Sequence, residues 1–150
     1  KPLDGMGGKS IYMMEEINDE EYKILEKLTN NYKTQIVIQE FLPDIYDGDF
    51  RVLIIHGEPY KKTLARIPQG GSFKGNLAAG GKGEVRDISD VQMRIGSVVG
   101  EYLMKKDINF AGIDIIGQKL TEINITSPTC AREIFEQSGM NPIEDYFKKL

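Results

Sequence analysis

Residues 114–124 read DIIGQKLTEIN, and this stretch predicts a β-hairpin. Apolar and oxygen-bearing side chains alternate on both sides of its central glycine, which is typical of antiparallel strands with one buried face. Glu122 and Asn124 are two residues apart, so they lie on the same face of their strand. A three-residue loop would place Asp114 opposite Glu122, whereas a two-residue loop would pair Asp114 with Thr121.

The longer loop would bring together two carboxylates and one amide oxygen, from Asp114, Glu122 and Asn124. Hard oxygen ligands without histidine or thiolate suit Mg²⁺, with Mn²⁺ as an alternative. The same alternation is also typical of the solvated face of an ordinary hairpin, so the spacing leaves both interpretations open. The apolar alternates are expected to face the core; they are Ile113, Ile115, Ile123 and Ile125.

The elements around this hairpin mix helices and strands without a βαβ repeat, which predicts an α+β fold. The predicted strands are residues 11–14, 35–41, 50–56, 60–66, 110–116 and 120–126, with a hairpin turn at 56–59. Capping boxes predict two helices, one that follows Asn18 and carries an apolar stripe as far as Tyr32, and one that follows Ser89. The buried stripe of the second helix is expected to comprise Val91, Ile95, Val98, Val99 and Tyr102. Two short helices are predicted at residues 131–137 and 143–149.

Two glycine-rich segments stand out. Residues 4–10, DGMGGKS, have three glycines in four positions, so successive backbone amides could surround an anion. The segment matches neither a Walker A loop nor a dinucleotide fingerprint, and a tight strand connection is the alternative. Residues 67–83 contain six glycines and no apolar periodicity. With cations at Arg66, Lys74 and Lys82, this composition suits either a mobile lid over a phosphorylated intermediate or a flexible surface loop.

Composition excludes several classes of protein. The net charge of −4 gives no electrostatic reason to expect a nucleic-acid or membrane partner. The single cysteine, Cys130, cannot form an internal disulfide, which fits a reducing compartment and predicts a cytoplasmic location. The chain opens directly on a glycine-rich turn that would normally follow a strand. We therefore expect a fragment that lacks its upstream partner strands and has no ligase activity by itself.

Three motifs together resemble the bacterial glutathione synthetases of the ATP-grasp superfamily. They are KPLDGMGG at residues 1–8, TLARIPQGGSFKGNLAAGG at 63–81 and LTEINITSPTC at 120–130. The similarity runs over the whole chain, and three long motifs in the same order are far more specific than any one of them. The resemblance implies an ATP-grasp fold, with residues 1–41 as part of the small ATP-binding subdomain and 42–150 as the carboxy-terminal subdomain that carries the metal hairpin and the lid.

The resemblance also implies an activity, namely ATP-dependent ligation of γ-glutamylcysteine with glycine through an acyl phosphate, in a cytoplasmic enzyme that is a homo-oligomer when complete. It implies that ATP is bound by the phosphate contacts Lys1, Gly5, Met6, Gly7 and Gly8, the adenine contacts Gln39, Glu40, Phe41 and Leu42, and Asp49 near the ribose. Magnesium would be held by Asp114, Glu122 and Asn124. Catalytic roles fall to Arg51 and Arg66, and the peptide would be bound by Arg51, Arg66, Lys74, Ser127 and Thr129.

One departure from the family pattern affects the lid. Lys74 stands where arginine is expected, so a bidentate contact becomes a point charge. Two alternatives remain at this stage. Another ATP-grasp carboxylate–amine ligase would share the metal hairpin but not the long lid motif, and a non-catalytic nucleotide-binding module would be expected to have lost a metal ligand.

Overall fold

The computed structural model describes residues 1–5 and 7–150, which divide into two compact units, Lys1–Pro43 and Asp44–Leu150. The division falls two residues after the predicted subdomain boundary, and the assignment of the parts as subdomains stays a prediction.

Among its described residues, the first unit contains one helix, α1, at Asp19–Leu28. Its capping box is confirmed, because the Asn18 side chain accepts from the backbone of Glu20 and Glu21 while Glu21 accepts from the backbone of Asn18. The stripe to Tyr32 is wrong. The helix stops at Leu28, and Tyr32 has a φ of 65° and is 67% exposed.

The two strands predicted in this unit do not form. Residues 11–14, all described, are irregular. Residues 35–41 contribute only a single bridge, Pro2 to Ile36, which is flanked by hydrogen bonds between the backbones of Lys1 and Val37. Apolar character alone did not make strands here, because a strand also requires a neighbour along its length.

The second unit is built on a five-stranded antiparallel sheet in the order β3-β2-β1-β4-β5. The strands are β1 Asp49–Ile55, β2 Glu58–Ile67, β3 Lys82–Asp87, β4 Phe110–Ile116 and β5 Lys119–Asn124. Strand β3 was not predicted, since its six residues include four charged ones. Short 3-10 helices at Pro43–Asp47 and Leu77–Ala79 precede β1 and β3. The β1–β2 hairpin is confirmed, but its turn consists of His56 and Gly57, with φ of 48° and 81°, in place of the predicted residues 56–59.

Helices cover both faces of this sheet. Helix α2, Asp90–Met104, packs on one face against Val52, Ile54 and Ile113. Helices α3, Ala131–Ser138, and α4, Pro142–Phe147, follow the sheet, and Ile134 of α3 packs on the opposite face with Leu53 and Leu64. Helix α4 packs against the β1–β2 hairpin. The rings of Tyr146 and His56 are stacked there, with their centres 4.9 Å apart.

Helix α2 begins at its predicted capping box, but its predicted buried stripe is only partly right, because Val99 is buried and Ile95 packs against the core whereas Val98 and Tyr102 are exposed. The buried side consists of Gln92, Gly96, Val99, Gly100 and Leu103. Two glycines explain the rotation of the helix about its axis. A β-carbon at Gly96 would be 2.8 Å from the Cγ of Pro59, and one at Gly100 would overlap the carbonyl oxygen of Gly57. The helix therefore turns its two glycines towards the β1–β2 turn and leaves Val98 and Tyr102 70% and 54% exposed.

The β4–β5 hairpin has the shorter of the two loops considered, but the residue pairing that was expected from the longer one. Its turn is two residues long, because Ile116 pairs with Lys119 and Ile115 with Leu120, so the three-residue loop is wrong. A β-bulge between Asp114 and Ile115 then shifts the register, and Asp114 pairs with Glu122. The apolar prediction holds for Ile113 and Ile115, which are fully buried, but not for Ile123 and Ile125, which are 41% and 54% exposed.

Candidate active site

A row of residues crosses the sheet on the face that carries α3. Leu64, Arg51, Asp114 and Glu122 are directly opposite one another on β2, β1, β4 and β5. Directly opposed residues in antiparallel strands point to the same face. The neighbouring rows on this face add Arg66 opposite Asp49, and Gly112 opposite Asn124. The fold thus brings six of the predicted site residues, Asp49, Arg51, Arg66, Asp114, Glu122 and Asn124, onto one face of the sheet.

Two arginines and two aspartates form a buried ion-pair network at the centre of this face. Arg51 binds Asp114 with two nitrogens, Nε to Oδ1 at 2.5 Å and Nη2 to Oδ2 at 3.0 Å. The Nη2 of Arg66 bridges both carboxylates, at 2.6 Å from Asp49 and 2.8 Å from Asp114. All four residues are at most 9% exposed. Buried charges are tolerated when they are paired in this way, and the bidentate geometry fixes the orientation of the guanidinium group of Arg51.

The two aspartates differ in their electrostatics. Burial raises the pKa of Asp49 to about 6, and the neighbouring Asp114 acts in the same direction, while Arg66 opposes them. The Oδ1 of Asp49 is buried and has no hydrogen-bond partner among the described residues. Asp114 is also desolvated, but its contacts with Arg51 and Arg66 more than offset this and lower its pKa. Asp114 is therefore the anion that the arginines stabilise most.

The predicted metal ligands fit an oxygen-liganded cation. Asp114 and Glu122 are a directly opposed pair, whose β-carbons are typically about 5 Å apart, and Asn124 is the next residue on the same face. Glu122 is exposed, and its carboxylate has no hydrogen bond or ion pair with the described part of the chain. No group of three or more His, Cys, Asp or Glu side chains within residues 1–5 and 7–150 is arranged as a metal site. The predicted set, with the amide oxygen of Asn124 as its third ligand, stays a prediction.

Gly112 is a site residue that the sequence analysis missed. A β-carbon there would be 2.9 Å from the Cδ of Arg51 and 2.9 Å from the Cβ of Pro128. Pro128 belongs to the segment that carries the predicted peptide contacts Ser127 and Thr129. The absent side chain thus lets both Arg51 and this segment approach the sheet. A glycine within a strand was the available signal, because such glycines often mark a close approach of other atoms.

The segment after β5 has an unusual backbone. Ser127 has a φ of 49°, and Cys130, the residue before α3, has a φ of 86°. Left-handed conformations are costly for residues with a β-carbon, and they concentrate at functional sites. Ser127 and Thr129 are exposed, whereas Cys130 is buried, and burial raises the pKa of its thiol.

The predicted lid consists of two different parts. A β-carbon at Gly70 or Gly71 would meet nothing within 4 Å, so the first part projects from the described structure. Gly75 is buried, and a β-carbon there would overlap the carbonyl oxygen of Arg66 and lie 3.3 Å from the Cβ of Asp49. We call residues 68–74 the lid tip; they include Lys74, whose ammonium lies 5.9 Å from the ring centre of Phe73. The lid is thus anchored directly beside the ion-pair network.

The remaining predicted nucleotide contacts lie in the first unit. Gly7 and Gly8 have φ of 63° and 77° within a turn, and Gly5 packs closely on Pro2. Met6 lies outside the described residues. Residues 39–42 lie outside helices and strands. The assignments of Lys1, Gly5, Gly7, Gly8, Gln39, Glu40, Phe41 and Leu42 stay predictions.

Comparison with known proteins identifies the family. Residues 1–139 match the family model described as prokaryotic glutathione synthetase, ATP-grasp domain. The chain belongs to this family. Its fold is accordingly that of an ATP-grasp domain, in agreement with the α+β prediction. Within the described residues, no helix is long and apolar enough to cross a membrane.

Relatives of this family match most of the chain. It is 52% identical to the glutathione synthetase of Vibrio parahaemolyticus over 134 residues, which are 89% of this chain and 42% of the relative. It is 48% identical to that of Xanthomonas campestris pv. campestris over 141 residues, 94% of this chain and 45% of the relative. The chain thus spans less than half the length of these relatives. The solved structure of the ATP-grasp ligase PsnB, complexed with precursor peptide PsnA2 and AMPPNP, aligns with a TM-score of 0.48 and 18% identity, covering 74% of this chain and 34% of that chain.

Proposed function

We propose that the protein containing this chain joins γ-glutamylcysteine to glycine at the expense of ATP. The observation that carries this proposal is the row Arg51–Asp114–Glu122, which sets a buried, oriented cation beside two carboxylates in a family of glutathione synthetases. A ligase needs both groups, because it must hold an anionic peptide and neutralise the phosphates that activate it. The location proposed for this activity is the cytoplasm, and the complete protein is proposed to be a homo-oligomer.

The proposed reaction has two steps. An oxygen of the dipeptide carboxylate attacks the γ-phosphorus of ATP, the bond from that phosphorus to the bridging oxygen breaks, and an acyl phosphate and ADP result. The amine of glycine then attacks the acyl carbon, phosphate leaves, and the amine nitrogen gives up a proton. Both steps require the reacting atoms to be held in line, which is worth several orders of magnitude in rate.

The arginines are suited to orient the peptide. Arg51 and Arg66 use their Nε and Nη2 atoms within the protein, whereas the Nη1 atom of each has no hydrogen bond within the described chain. We propose that these donors bind the reacting carboxylate, with Ser127 and Thr129, which flank Pro128 beside Gly112, as further donors. Asp49 holds Arg66 in place, in addition to any contact with ribose.

A divalent cation, Mg²⁺ with Mn²⁺ as an alternative, is proposed to bind Asp114, Glu122 and Asn124. When bound, it supplies positive charge to the phosphate oxygens of the nucleotide. The role of the protein is to present the three oxygens together. Asp114 is held by two arginines, and Glu122 is free of other partners within the described residues, so one ligand is fixed and one can adjust.

The test is phosphate release by the intact protein with ATP and Mg²⁺, with γ-glutamylcysteine and glycine omitted in turn. Release that requires both substrates, with glutathione as product, is expected. Release that requires γ-glutamylcysteine but accepts a different amine would support another carboxylate–amine ligase. If nucleotide binds and no phosphate appears with any amine tested, the chain is a binding module and the proposal fails.

A further inference from the structure

Helix α2 carries an apolar stripe at the edge of its contact with the core of its own unit, where Ile95 still packs against the core cluster. The stripe consists of Val91, Ile95, Val98 and Tyr102, at successive spacings of four, three and four residues. Such spacing gives one continuous face of a helix and is typical of helices that pack against another helix. Val98 and Tyr102 are 70% and 54% exposed, so this face is not covered by the described chain.

The stripe continues onto the sheet. Helix α2 lies over β1 and β2, where Gly96 packs on Pro59, and leaves β5 uncovered on this face. Leu120 and Ile123 of β5 point to the same face as Ile115 and Ile113 and are 39% and 41% exposed. Between helix and strand is a groove of about 310 Å³, lined by Arg94, Ile95, Val98, Val99 and Leu120. One helix therefore covers only part of a five-stranded face, which leaves room for a second helix beside α2, over β5.

We infer that this groove binds helix α2 of a second copy of the chain, antiparallel to the first and related to it by a two-fold axis. The argument is charge complementarity. Arg94 and Glu101 are seven residues apart, so they lie on the same flank of the stripe, two turns from each other. In an antiparallel helix pair, equal flanks meet. Arg94 therefore comes level with Glu101 of the partner subunit, and the two-fold axis repeats this ion pair.

The same alignment also interleaves the apolar side chains. With Arg94 level with the partner's Glu101, Val98 lies beside the partner's Val98 near the axis, and the partner's Tyr102 falls between Val91 and Ile95. Side chains from the two helices then alternate about every two residues, or ~3 Å along the axis. Charge and apolar packing thus select one register. In a parallel pairing opposite flanks would meet, so Arg94 would not come level with Glu101 of the partner subunit and these ion pairs would be lost.

This inference rests on the proposed self-association of the complete protein, but not on its ligase activity. The test measures assembly alone, by sedimentation equilibrium of the intact protein. Three variants are compared with the parent protein: Val98→Asp, Arg94→Glu, and Arg94→Glu combined with Glu101→Arg. The control is Arg132→Glu, which makes the same charge change at an exposed arginine of α3.

We expect the oligomer to halve in size, or to become monomeric, in Val98→Asp, with a dissociation constant raised about 100-fold. Arg94→Glu should raise that constant about 10-fold, because both ion pairs become repulsive, and the double variant should return it close to the parent value. The control should match the parent protein. If the Val98 variant fails to fold, Arg94→Glu and the double variant still test the inference, because Arg94 and Glu101 are both exposed.

Three results would overturn the inference. One is an intact protein that is monomeric, in which case the remainder of the protein covers the stripe or nothing does. Another is an oligomer that Val98→Asp and Arg94→Glu leave unchanged, which would place the interface elsewhere. The third is a loss in Arg94→Glu that the double variant does not restore, which would exclude the antiparallel register.

Discussion

Arg51 lies across Gly112, so that a β-carbon at position 112 would be 2.9 Å from the Cδ of Arg51 and 3.2 Å from its Nη1. The guanidinium group is therefore fixed in two ways, by the bidentate contact with Asp114 and by the flat surface that a glycine provides. Nη1 is the nitrogen proposed to bind the peptide carboxylate. The position of the donor thus depends on a residue with no functional group.

Gly112→Ala is expected to impair peptide binding more than nucleotide binding. The new methyl group must push Arg51 or Pro128 away from the sheet, and a displacement of about 1 Å can cost as much as 100-fold in rate. We expect the KM for γ-glutamylcysteine to rise about 10-fold or more, with the KM for ATP nearly unchanged. Steady-state kinetics of the intact protein measure both.

A matched control is Gly83→Ala in β3 of the same sheet. Its new β-carbon would meet the terminal carbons of Leu77 and Leu64 at 3.2 and 3.5 Å, and these side chains can adjust. Equal effects of the two substitutions on the KM values would show that Gly112 has no particular relation to Arg51.

Asp49 is expected to make stability depend on pH. Its folded-state pKa, about 6, is raised above the ordinary 3.8. Its contribution to folding is therefore fully present below pH 3.8 and is lost as the pH rises through about 6. The loss amounts to at most ~3 kcal/mol between pH 4 and 7. Asp49→Asn should remove this loss. The Tm of the variant should therefore rise relative to the Tm of the parent protein as the pH increases.

Asp114 should behave in the opposite way, because its pKa is lowered. Its contribution is present above the ordinary 3.8 and is lost as the pH falls through its lower folded-state value. Asp114→Asn should therefore lower the Tm at pH 7, by removing the charge that pairs with two buried arginines; breaking such a pair typically costs 3–5 kcal/mol. Calorimetric scans from pH 4 to 7.5 measure both variants. Parallel Tm curves for Asp49→Asn and the parent protein would contradict the pKa assignment.

Glu122→Gln is expected to abolish turnover without unfolding the protein. Glu122 is exposed and has no side-chain partner in the described chain, so its carboxylate contributes little to stability. As a metal ligand, however, it should be indispensable. We expect kcat to fall about 100-fold or more, and the Mg²⁺ concentration for half-maximal rate to rise. Glu136→Gln, on the exposed side of α3, is the control, and near-parent activity at ordinary Mg²⁺ in the Glu122 variant would exclude it as a ligand.

What the sequence predicts well is local. The capping boxes at Asn18 and Ser89 each involve residues three apart, and the structure confirms both. The pairing of Asp114 with Glu122 was also anticipated, although a two-residue turn followed by a β-bulge produces it in place of the predicted three-residue loop. Bulges leave little trace in the alternation of side chains, since one extra residue is the whole signal.

What the sequence does not predict depends on distant partners. The predicted buried side of α2 was wrong at Val98 and Tyr102, because Gly96 and Gly100 let the helix pack against the β1–β2 turn. Hydrophobic periodicity does not record a contact that depends on the absence of a side chain. The network of Arg51, Arg66 and Asp114 has the same character. Its members are up to 63 residues apart in the chain, and each alone resembles an ordinary surface charge.

The last prediction concerns the lid, which the sequence treated as one mobile segment of residues 67–82. We expect that only the lid tip, residues 68–74, moves freely, because a β-carbon at Gly70 or Gly71 would meet nothing within 4 Å. Beyond it, Gly75 is wedged against Arg66 and Asp49. The 3-10 helix at Leu77–Ala79 is held by backbone hydrogen bonds from Ala79 and Gly81 to Asn76, at 2.9 and 3.1 Å. Amides protected in this way exchange slowly, whereas those of an open loop exchange at nearly the free rate.

Hydrogen exchange of the intact protein should therefore separate the two parts. Without nucleotide, the amides of Gly70 and Gly71 should exchange rapidly and those of Ala79 and Gly81 at least about 10-fold more slowly. ATP with Mg²⁺ should slow the tip and leave the anchored part nearly unchanged, because closure orders only what was free. Gly75→Ala should abolish the difference, since a methyl group there cannot coexist with the carbonyl of Arg66, while Gly83→Ala should preserve it. Uniform exchange over residues 67–82 in the parent protein would show that Gly75 is not an anchor and that the whole segment moves as one.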